Sequence, residues 1–186
     1  MWVVTQNILK FVVDALKMWR AKVKDDNLLK STHYASLRFI WLAVLVIVLD
    51  QWSKHWIIAN FSQYQLHRIL PFLNFSLIFN HGAAFSFLNN AGGWQRWLFS
   101  GIAIVISIAV LIWMSKTPRK NIYLNIGLAL ILGGALGNLW DRITLGYVVD
   151  FVDFHINTWH FATFNLADSA ITIGVILLIL DLIFQP

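Results

Sequence analysis

Two long stretches without a charged residue constrain the fold of this chain more than any other feature of its sequence. Residues 97–115 and 122–140 each contain nineteen residues and no Asp, Glu, Lys or Arg. About 20 apolar residues cross the hydrocarbon core of a bilayer as a helix. Apolar segments of similar length run from 38 to 58 and from 166 to 184. The sequence therefore predicts an all-α membrane protein with four transmembrane helices.

The composition supports a membrane location. Hydrophobic residues make up 59% of the 186 residues, and charged residues only 12%. Soluble domains carry about 25% charged residues, so a soluble fold is excluded. The length suits one compact membrane domain, which we place at residues 38–186.

The first 37 residues have a different character. One helical face would be apolar, and the other would carry Gln6, Lys10, Asp14 and Lys17. A cleaved signal peptide is the alternative, but the segment has no unbroken apolar core and its basic residues are scattered. We predict that residues 1–37 form a cytoplasmic amphipathic extension on the membrane surface. The apolar face would comprise Val4, Ile8, Phe11, Val12, Ala15, Leu16 and Trp19.

The positive charges predict the orientation. Ten of the fourteen basic residues lie before residue 39 or between 116 and 120, where they flank predicted spans. Basic residues favour the cytoplasmic side, so both termini are predicted to be cytoplasmic and loops 59–94 and 141–165 periplasmic. This distribution fits anionic lipid headgroups better than nucleic acid, despite the net charge of +5. Six tryptophans would form an outer aromatic belt, namely Trp52, Trp56, Trp94, Trp97, Trp140 and Trp159.

The first periplasmic loop has a strand pattern. Apolar and polar residues largely alternate over 73–80, which predicts a strand. His81 and Gly82 would form a turn, and 83–88 would form the return strand. The segment Val148-Val149-Asp150-Phe151 is also strand-like. A small periplasmic β-sheet on the membrane surface is therefore predicted beside the four helices.

The acidic residues are the candidates for chemistry. The chain has no cysteine and no Glu, which excludes a thiol nucleophile and leaves Asp as its only carboxylate. A charge inside the bilayer costs about 2.5–3.5 kcal/mol at a helix centre, so such residues are candidates for function. A helix cap, or a salt bridge to Lys54 or Arg142, is the alternative for each. The five Asp residues predicted near the outer face are Asp50, Asp141, Asp150, Asp153 and Asp168.

Two of these segments together suggest a mechanism. Asn165 is placed to cap the last helix, with Asp168 in its first turn, and Asp150 or Asp153 could lie nearby. Two carboxylates at a partly dry interface share a proton, so one can activate water while the other polarises a carbonyl. This aspartic protease arrangement needs no cofactor and no metal. His155 and His160 are interpreted as solvated loop residues rather than metal ligands.

Five segments of the chain match, in order, the motif blocks of one family of membrane proteins: Asp50-Gln-Trp-Ser-Lys54, Asn80-His-Gly-Ala-Ala-Phe85, Gly133-Gly-Ala-Leu-Gly-Asn-Leu-Trp-Asp-Arg142, Val148-Val-Asp-Phe151 and Phe164-Asn-Leu-Ala-Asp168. Through these segments the chain resembles bacterial lipoprotein signal peptidase (signal peptidase II) from about residue 38 to its end. The resemblance implies that Asp150 and Asp168 are the catalytic pair, and that a prolipoprotein is cleaved before a diacylglyceryl-modified cysteine. It also implies an inner-membrane location and a substrate site lined by Asn80, Asn138 and Arg142.

Other residues of these blocks have supporting roles in this interpretation. Asp50 and Lys54 would form an i, i+4 pair, with Asp141 and Asn165 as further support. For Asn138 and Arg142, an interaction with the end of their own helix is the alternative. Small residues at Gly133, Gly134 and Gly137 predict close helix packing.

A different class of function would also use intramembrane carboxylates. A proton-coupled small membrane transporter subunit would relay protons through them, but no charged relay crosses the middle of the predicted spans. A purely structural assembly factor is a third hypothesis, and it would need no carboxylate pair. For the protease we expect a monomer whose partners are lipid-modified prolipoproteins and membrane lipids, with no nucleic acid.

Overall fold

A computed structural model describes residues 36–82, 92–118 and 120–184. The described residues belong to one compact unit, Tyr34–Pro186. Nearly all of the predicted amphipathic extension, residues 1–37, lies outside the described residues. Its form and its boundary with the membrane domain therefore stay predictions.

The described residues contain four helices that are long and apolar enough to cross a membrane. This confirms the four predicted spans. In the third helix, the α-helical conformation continues four residues beyond Trp140, because the charged Asp141 and Arg142 find partners within the protein. The helices are α1 (Ile40–Asn60), which follows a 3-10 turn at Ser36–Phe39, α2 (Trp94–Lys116), α3 (Ile122–Thr144) and α4 (Leu166–Phe184).

The third helix is the centre of the bundle. In the apolar 18-residue stretch of α3, 72% is buried inside the protein, against 17–28% in the corresponding stretches of the other three helices. Its small residues allow this position. A Cβ on Gly133 would lie 2.8 Å from the carbonyl oxygen of Ala43 in α1, and a Cβ on Gly134 would meet the carbonyl oxygen of Ala167 in α4. Close packing at these glycines was predicted, and it brings α1 and α4 against α3.

The outward faces of the helices are apolar. The six tryptophans of the predicted outer belt are 47–67% exposed. Large aliphatic side chains such as Val48, Val105 and Ile183 are more than half exposed on α1, α2 and α4. In water such surfaces would be costly, whereas in a bilayer they contact lipid.

A small antiparallel sheet accompanies the helices. Its strands are β1 (Leu66–Leu70), β2 (Leu73–Asn80), β3 (Val148–Ile156) and β4 (Trp159–His160), in the order β1-β2-β3-β4. The predicted strand 73–80 and the strand-like segment at Val148–Phe151 are both confirmed. The predicted return strand 83–88 lies outside the described residues. Strands β1 and β2 precede α2 in the sequence, and β3 and β4 follow α3. The two pairs of strands thus form one sheet.

A bulge in β2 sets which side chains face each other across the sheet. The register with β3 shifts between Phe75 and Ile78, so that Ile78 lies opposite Asp150. On the other face of β3, Val149 and Phe151 pack with Ile57 near the end of α1. Because side chains alternate along a strand, Asp150 projects away from that apolar cluster.

Candidate active site

Asp150 and Asp168 are held by the same side chain, although they lie on different elements. Asn165 Nδ2 donates to Asp150 Oδ1 over 2.7 Å. Asp168 N donates to Asn165 Oδ1 over 2.9 Å, and Asn165 N donates to Asp168 Oδ2 over 3.2 Å. The reciprocal bonds between Asn165 and Asp168 cap the start of α4. The predicted cap is therefore present, and it also links the helix to β3.

Two further asparagines complete the hydrogen bonding of the carboxylates. Asn138 Nδ2 donates to Asp168 Oδ1 over 2.7 Å, and Asn80 Nδ2 donates to Asp150 Oδ2 over 2.8 Å. Asn80 lies two residues beyond Ile78, so it is on the same sheet face as Asp150. Each of the four carboxylate oxygens thus accepts a hydrogen bond. The structure brings both predicted catalytic residues together with Asn80, Asn138 and Asn165.

The two carboxylates have different surroundings. Asp150 is only 2% exposed, and burial together with the nearby charge of Asp168 raises its pKa to about 7. Hydrogen bonds from Asn80 and Asn165 oppose this rise in the pKa of Asp150. Asp168 is half-buried in the first turn of α4, where the helix dipole favours a negative charge. The arrangement can hold a proton on Asp150 up to near-neutral pH.

Asp153 has other partners. It accepts a hydrogen bond from Asn74 Nδ2 over 2.9 Å and lies 2.8 Å from His160 Nδ1. Asp153 lies three positions beyond Asp150 on one strand, so the two side chains project from opposite faces. The sequence left the choice between them open, and the structure places Asp150 in contact with Asn165.

The prediction that His155 and His160 lie in a loop is wrong. His155 is in β3 and His160 in β4, and they are paired across the two strands with ring centroids 5.1 Å apart. The short β4 was missed because two residues give no periodic pattern. Among the described residues there is no group of three His, Cys, Asp or Glu side chains placed to hold a metal ion.

A buried ionic cluster connects the elements that carry the site. Lys54 Nζ lies 2.8 Å from Asp50 Oδ2 and 2.8 Å from Asp141 Oδ2, which confirms the predicted Asp50–Lys54 pair. Asp50 Oδ1 accepts the N–H of Ala167 over 3.0 Å, and Asp141 Oδ2 accepts the N–H of Val149 over 3.2 Å. Helices α1, α3 and α4 and strand β3 are therefore joined at one point.

Gln51 belongs to this cluster and was not predicted. Its Nε2 donates to Asp141 Oδ1 over 2.7 Å and to Asp50 Oδ2 over 3.3 Å. Gln51 carries no charge, so its position next to Asp50 is the only sequence feature that could have indicated a place in the cluster.

Arg142 is in the last turn of α3, and its side chain bonds to that helix and to the turn after β2. Its Nη1 donates to the carbonyl of Asn138 and its Nη2 to the carbonyl of Gly82, each over 3.3 Å. The first bond stays within α3 and is the helix-end interaction that was the alternative to substrate binding. The second bond joins α3 to the turn after β2. Gly82 N in turn donates to Asn80 Oδ1 over 2.9 Å. Arg142 and Asn80 are thus connected through Gly82.

Sequence comparisons find close relatives of one kind. A family model described as signal peptidase (SPase) II matches residues 42–184. A lipoprotein signal peptidase of Alteromonas mediterranea is 52% identical over 155 residues, covering 83% of this chain and 85% of the relative. Proteins of the same name from Shewanella sediminis and Yersinia enterocolitica are 54% and 51% identical, covering 79% and 81% of this chain and 84% and 89% of the relatives.

Solved structures show the same fold. Two structures, both described as a bacterial membrane enzyme determined by the in meso method, match with TM-scores of 0.71 and 0.70. They are 37% and 36% identical in sequence and cover 78% and 80% of this chain, and 87% and 94% of their own chains.

Proposed function

Because the chain belongs to the signal peptidase II family, we propose that it removes the signal peptide from diacylglyceryl-modified prolipoproteins with Asp150 and Asp168 as its catalytic pair. Family membership makes it an aspartic-type peptidase of lipoprotein processing and a multi-pass protein of the inner membrane. It also favours the peptidase over the alternative of a proton-coupled transporter subunit.

One observation carries the mechanism: Asn165 bonds to both carboxylates, Asp150 through Nδ2 and Asp168 through Oδ1 and its own N–H. Two carboxylates held this closely by one residue share a proton more readily than they both ionise. The pKa of about 7 for Asp150, raised by burial and by Asp168, favours the proton on Asp150. Asp168 is then the base.

The proton transfers balance in this assignment. Asp168 accepts a proton from water as the water oxygen attacks the scissile carbonyl carbon, and Asp150 donates its proton to the carbonyl oxygen. The tetrahedral intermediate then collapses. Asp168 returns its proton to the leaving amide nitrogen, and Asp150 recovers a proton from the intermediate's hydroxyl group. Both side chains end in their starting states.

Substrate binding is assigned to Asn80, Asn138 and Arg142. The guanidinium of Arg142 has five N–H donors, and the two hydrogen bonds to Asn138 and Gly82 leave others for a peptide carbonyl. Cleavage would occur just before the lipid-modified cysteine. The diacylglyceryl group can stay in the bilayer during binding, because Asp168 lies in the first turn of the apolar helix α4 and Asp150 is joined to the start of that helix through Asn165.

We place the active site at the periplasmic face, with both termini in the cytoplasm. Exported prolipoproteins reach that face, and the basic segments at 1–38 and 116–120 favour the opposite one. The chain is proposed to act as a monomer, since each group assigned to the reaction comes from one copy.

The proposal is tested by incubating the purified chain with one prolipoprotein in two forms, with and without the diacylglyceryl group. We expect a shortened product from the lipid-modified form only. Asp168→Asn, purified in the same way, is the control for a contaminating protease. Equal cleavage of both forms, or cleavage that persists in the Asp168→Asn sample, would contradict the proposal.

A further inference from the structure

Lys54 makes one contact that its ion pairs do not explain. The side chain is 1% exposed, and its ammonium group has three N–H donors. Two of them face Asp50 and Asp141, each at 2.8 Å. The third donates to Asn138 Oδ1 over 3.0 Å, and Asn138 is the residue that donates to Asp168. The side chain of Asn138 therefore links the buried cluster to the Asp168 carboxylate.

The orientation of that amide is determined by its neighbours. Asn138 Oδ1 faces two donors, Lys54 Nζ at 3.0 Å and Asn165 Nδ2 at 3.1 Å. An ammonium group can only donate, so the carbonyl side of Asn138 must face Lys54. Asn165 is fixed in the same way, since its Oδ1 accepts the backbone N–H of Asp168. A rotated Asn138 would turn its oxygen toward the Asp168 carboxylate and its NH₂ group toward two donors.

We propose that Lys54 is a positioning residue, which fixes the side-chain amide of Asn138 so that Asn138 Nδ2 donates to Asp168 and holds that carboxylate ready to accept a proton. The inference rests on the proposed function of Asp168 as the base. Lys54 touches neither carboxylate of the pair in this arrangement. Its effect on Asp168 passes through the hydrogen bonds from Lys54 to Asn138 and from Asn138 to Asp168.

Charged groups from several elements act on the carboxylate pair. Asp150 of β3 and Arg142 of α3 interact electrostatically with Asp168. Lys54 of α1, which is paired with Asp50 and Asp141, interacts with Asp150. A change of Lys54 therefore alters the net charge near the pair as well as the hydrogen bond to Asn138. A test must separate these two effects.

Two variants separate the loss of the hydrogen bond to Asn138 from the change in net charge. Lys54→Met has nearly the length of the lysine side chain but no donor and no charge. The paired variant Asp50→Asn/Lys54→Met also lacks the donor, yet it leaves the net charge of the cluster unchanged and avoids an extra unpaired buried carboxylate. If the single variant does not accumulate as folded protein, the paired variant supplies the measurement.

The experiment measures kcat and KM against pH with the lipid-modified prolipoprotein. We expect kcat of both variants to fall about 10- to 100-fold, the effect of losing one hydrogen bond to a charged group. The acid side of the pH profile of kcat should move to higher pH in both variants, because a hydrogen bond that favours the charged form of the base is lost.

The matched control is Gln51→Leu. Gln51 lies in the same cluster, and its hydrogen bonds go to Asp50, Asp141 and the carbonyl of Gly137. This variant disturbs the packing of the cluster and should leave the acid-side pH dependence of kcat unchanged.

An unshifted pH profile in the paired variant, with activity lost only in proportion to folded protein, would overturn the inference. A shift of equal size in Gln51→Leu would also overturn it, since the effect would then come from the cluster and not from Asn138. The unmodified chain is measured alongside. If it does not cleave the substrate, the proposed function fails, and the inference that depends on it falls too.

Discussion

Val152 and Phe164 pair through their backbones, with Val152 N donating to Phe164 O over 2.8 Å and Phe164 N donating to Val152 O over 3.1 Å. This bridge lies directly before α4. It places Asn165 beside β3, where its side chain reaches Asp150, and it starts the helix whose first turn carries Asp168. A short backbone pairing outside the membrane-spanning helices thus positions Asn165, the residue that bonds to both carboxylates.

The contact between α3 and α4 gives a prediction for stability. A Cβ on Gly134 would press on the carbonyl oxygen of Ala167, and backbone atoms cannot move aside as a flexible side chain can. We expect Gly134→Ala to destabilise the protein by about 1–3 kcal/mol, as overpacking does. Gly101→Ala is the matched control, because its Cβ would meet nothing within 4 Å. Melting in detergent should show a lower Tm for Gly134→Ala alone, and equal Tm values would refute the packing argument.

A second prediction concerns the pH dependence of stability. Burial and the charge of Asp168 raise the pKa of Asp150 from 3.8 to about 7, so between these values the folded chain holds a proton that the unfolded chain releases. Its contribution to stability is therefore complete below about pH 4 and is lost as the pH rises to 7. The Tm should fall across this window.

Asp150→Asn cannot ionise, so its Tm should change less between pH 5 and pH 8 than the Tm of the unmodified chain. Asp153→Asn leaves Asp150 in place and should keep the original pH dependence. A Tm difference as large in Asp150→Asn as in the unmodified chain would assign the effect to another group.

The helices were predictable because an uncharged segment of about 20 residues has few alternatives in a membrane protein. The bounds of α4 match the prediction, 166–184, and α3 begins at the predicted Ile122. The capping of α4 by Asn165 and the pair of Asp50 with Lys54 were also predictable, since both depend on residues three or four positions apart.

The site itself could not be derived from spacing. The choice of Asp150 over Asp153 depends on the opposite faces of β3 that they occupy, and the bulge in β2 puts Asn80 on the face of Asp150. The bond from Lys54 to Asn138 joins residues 84 positions apart, and no local pattern marks it. The resemblance to a known family supplied the roles of Asn80, Asn138 and Arg142, and these roles stay predictions.

Membrane orientation is the third prediction. Reporters fused after Lys120 should report the cytoplasm, because basic residues cluster between 116 and 120. A reporter at Asn157, in the turn between β3 and β4, should report the periplasm. Cells lacking a fusion at either position provide the background signal. A cytoplasmic signal at Asn157 would place Asp150 away from exported substrates and contradict the proposed function.

The last prediction concerns the carboxylate pair. Asp150→Asn and Asp168→Asn should each reduce cleavage by about 100- to 10,000-fold, the contribution of general acid or base catalysis. Asn resembles Asp in size but can neither accept the proton from water nor donate a carboxyl proton. Cleavage of the lipid-modified prolipoprotein by the purified variants measures the effect.

Asn substitution also separates catalysis from helix capping at residue 168. An Asn side chain can still accept the N–H of Asn165 through its amide oxygen, so a purely capping role of Asp168 would survive the change. Asp153→Asn is the comparison within the same strand, and it should keep substantial activity because Asp153 is held by Asn74 and His160 instead. The Tm of each variant in detergent shows whether it is folded. A folded, fully active Asp168→Asn would reduce Asp168 to a helix-terminus residue, and an inactive Asp153→Asn beside an active Asp150→Asn would reassign the pair.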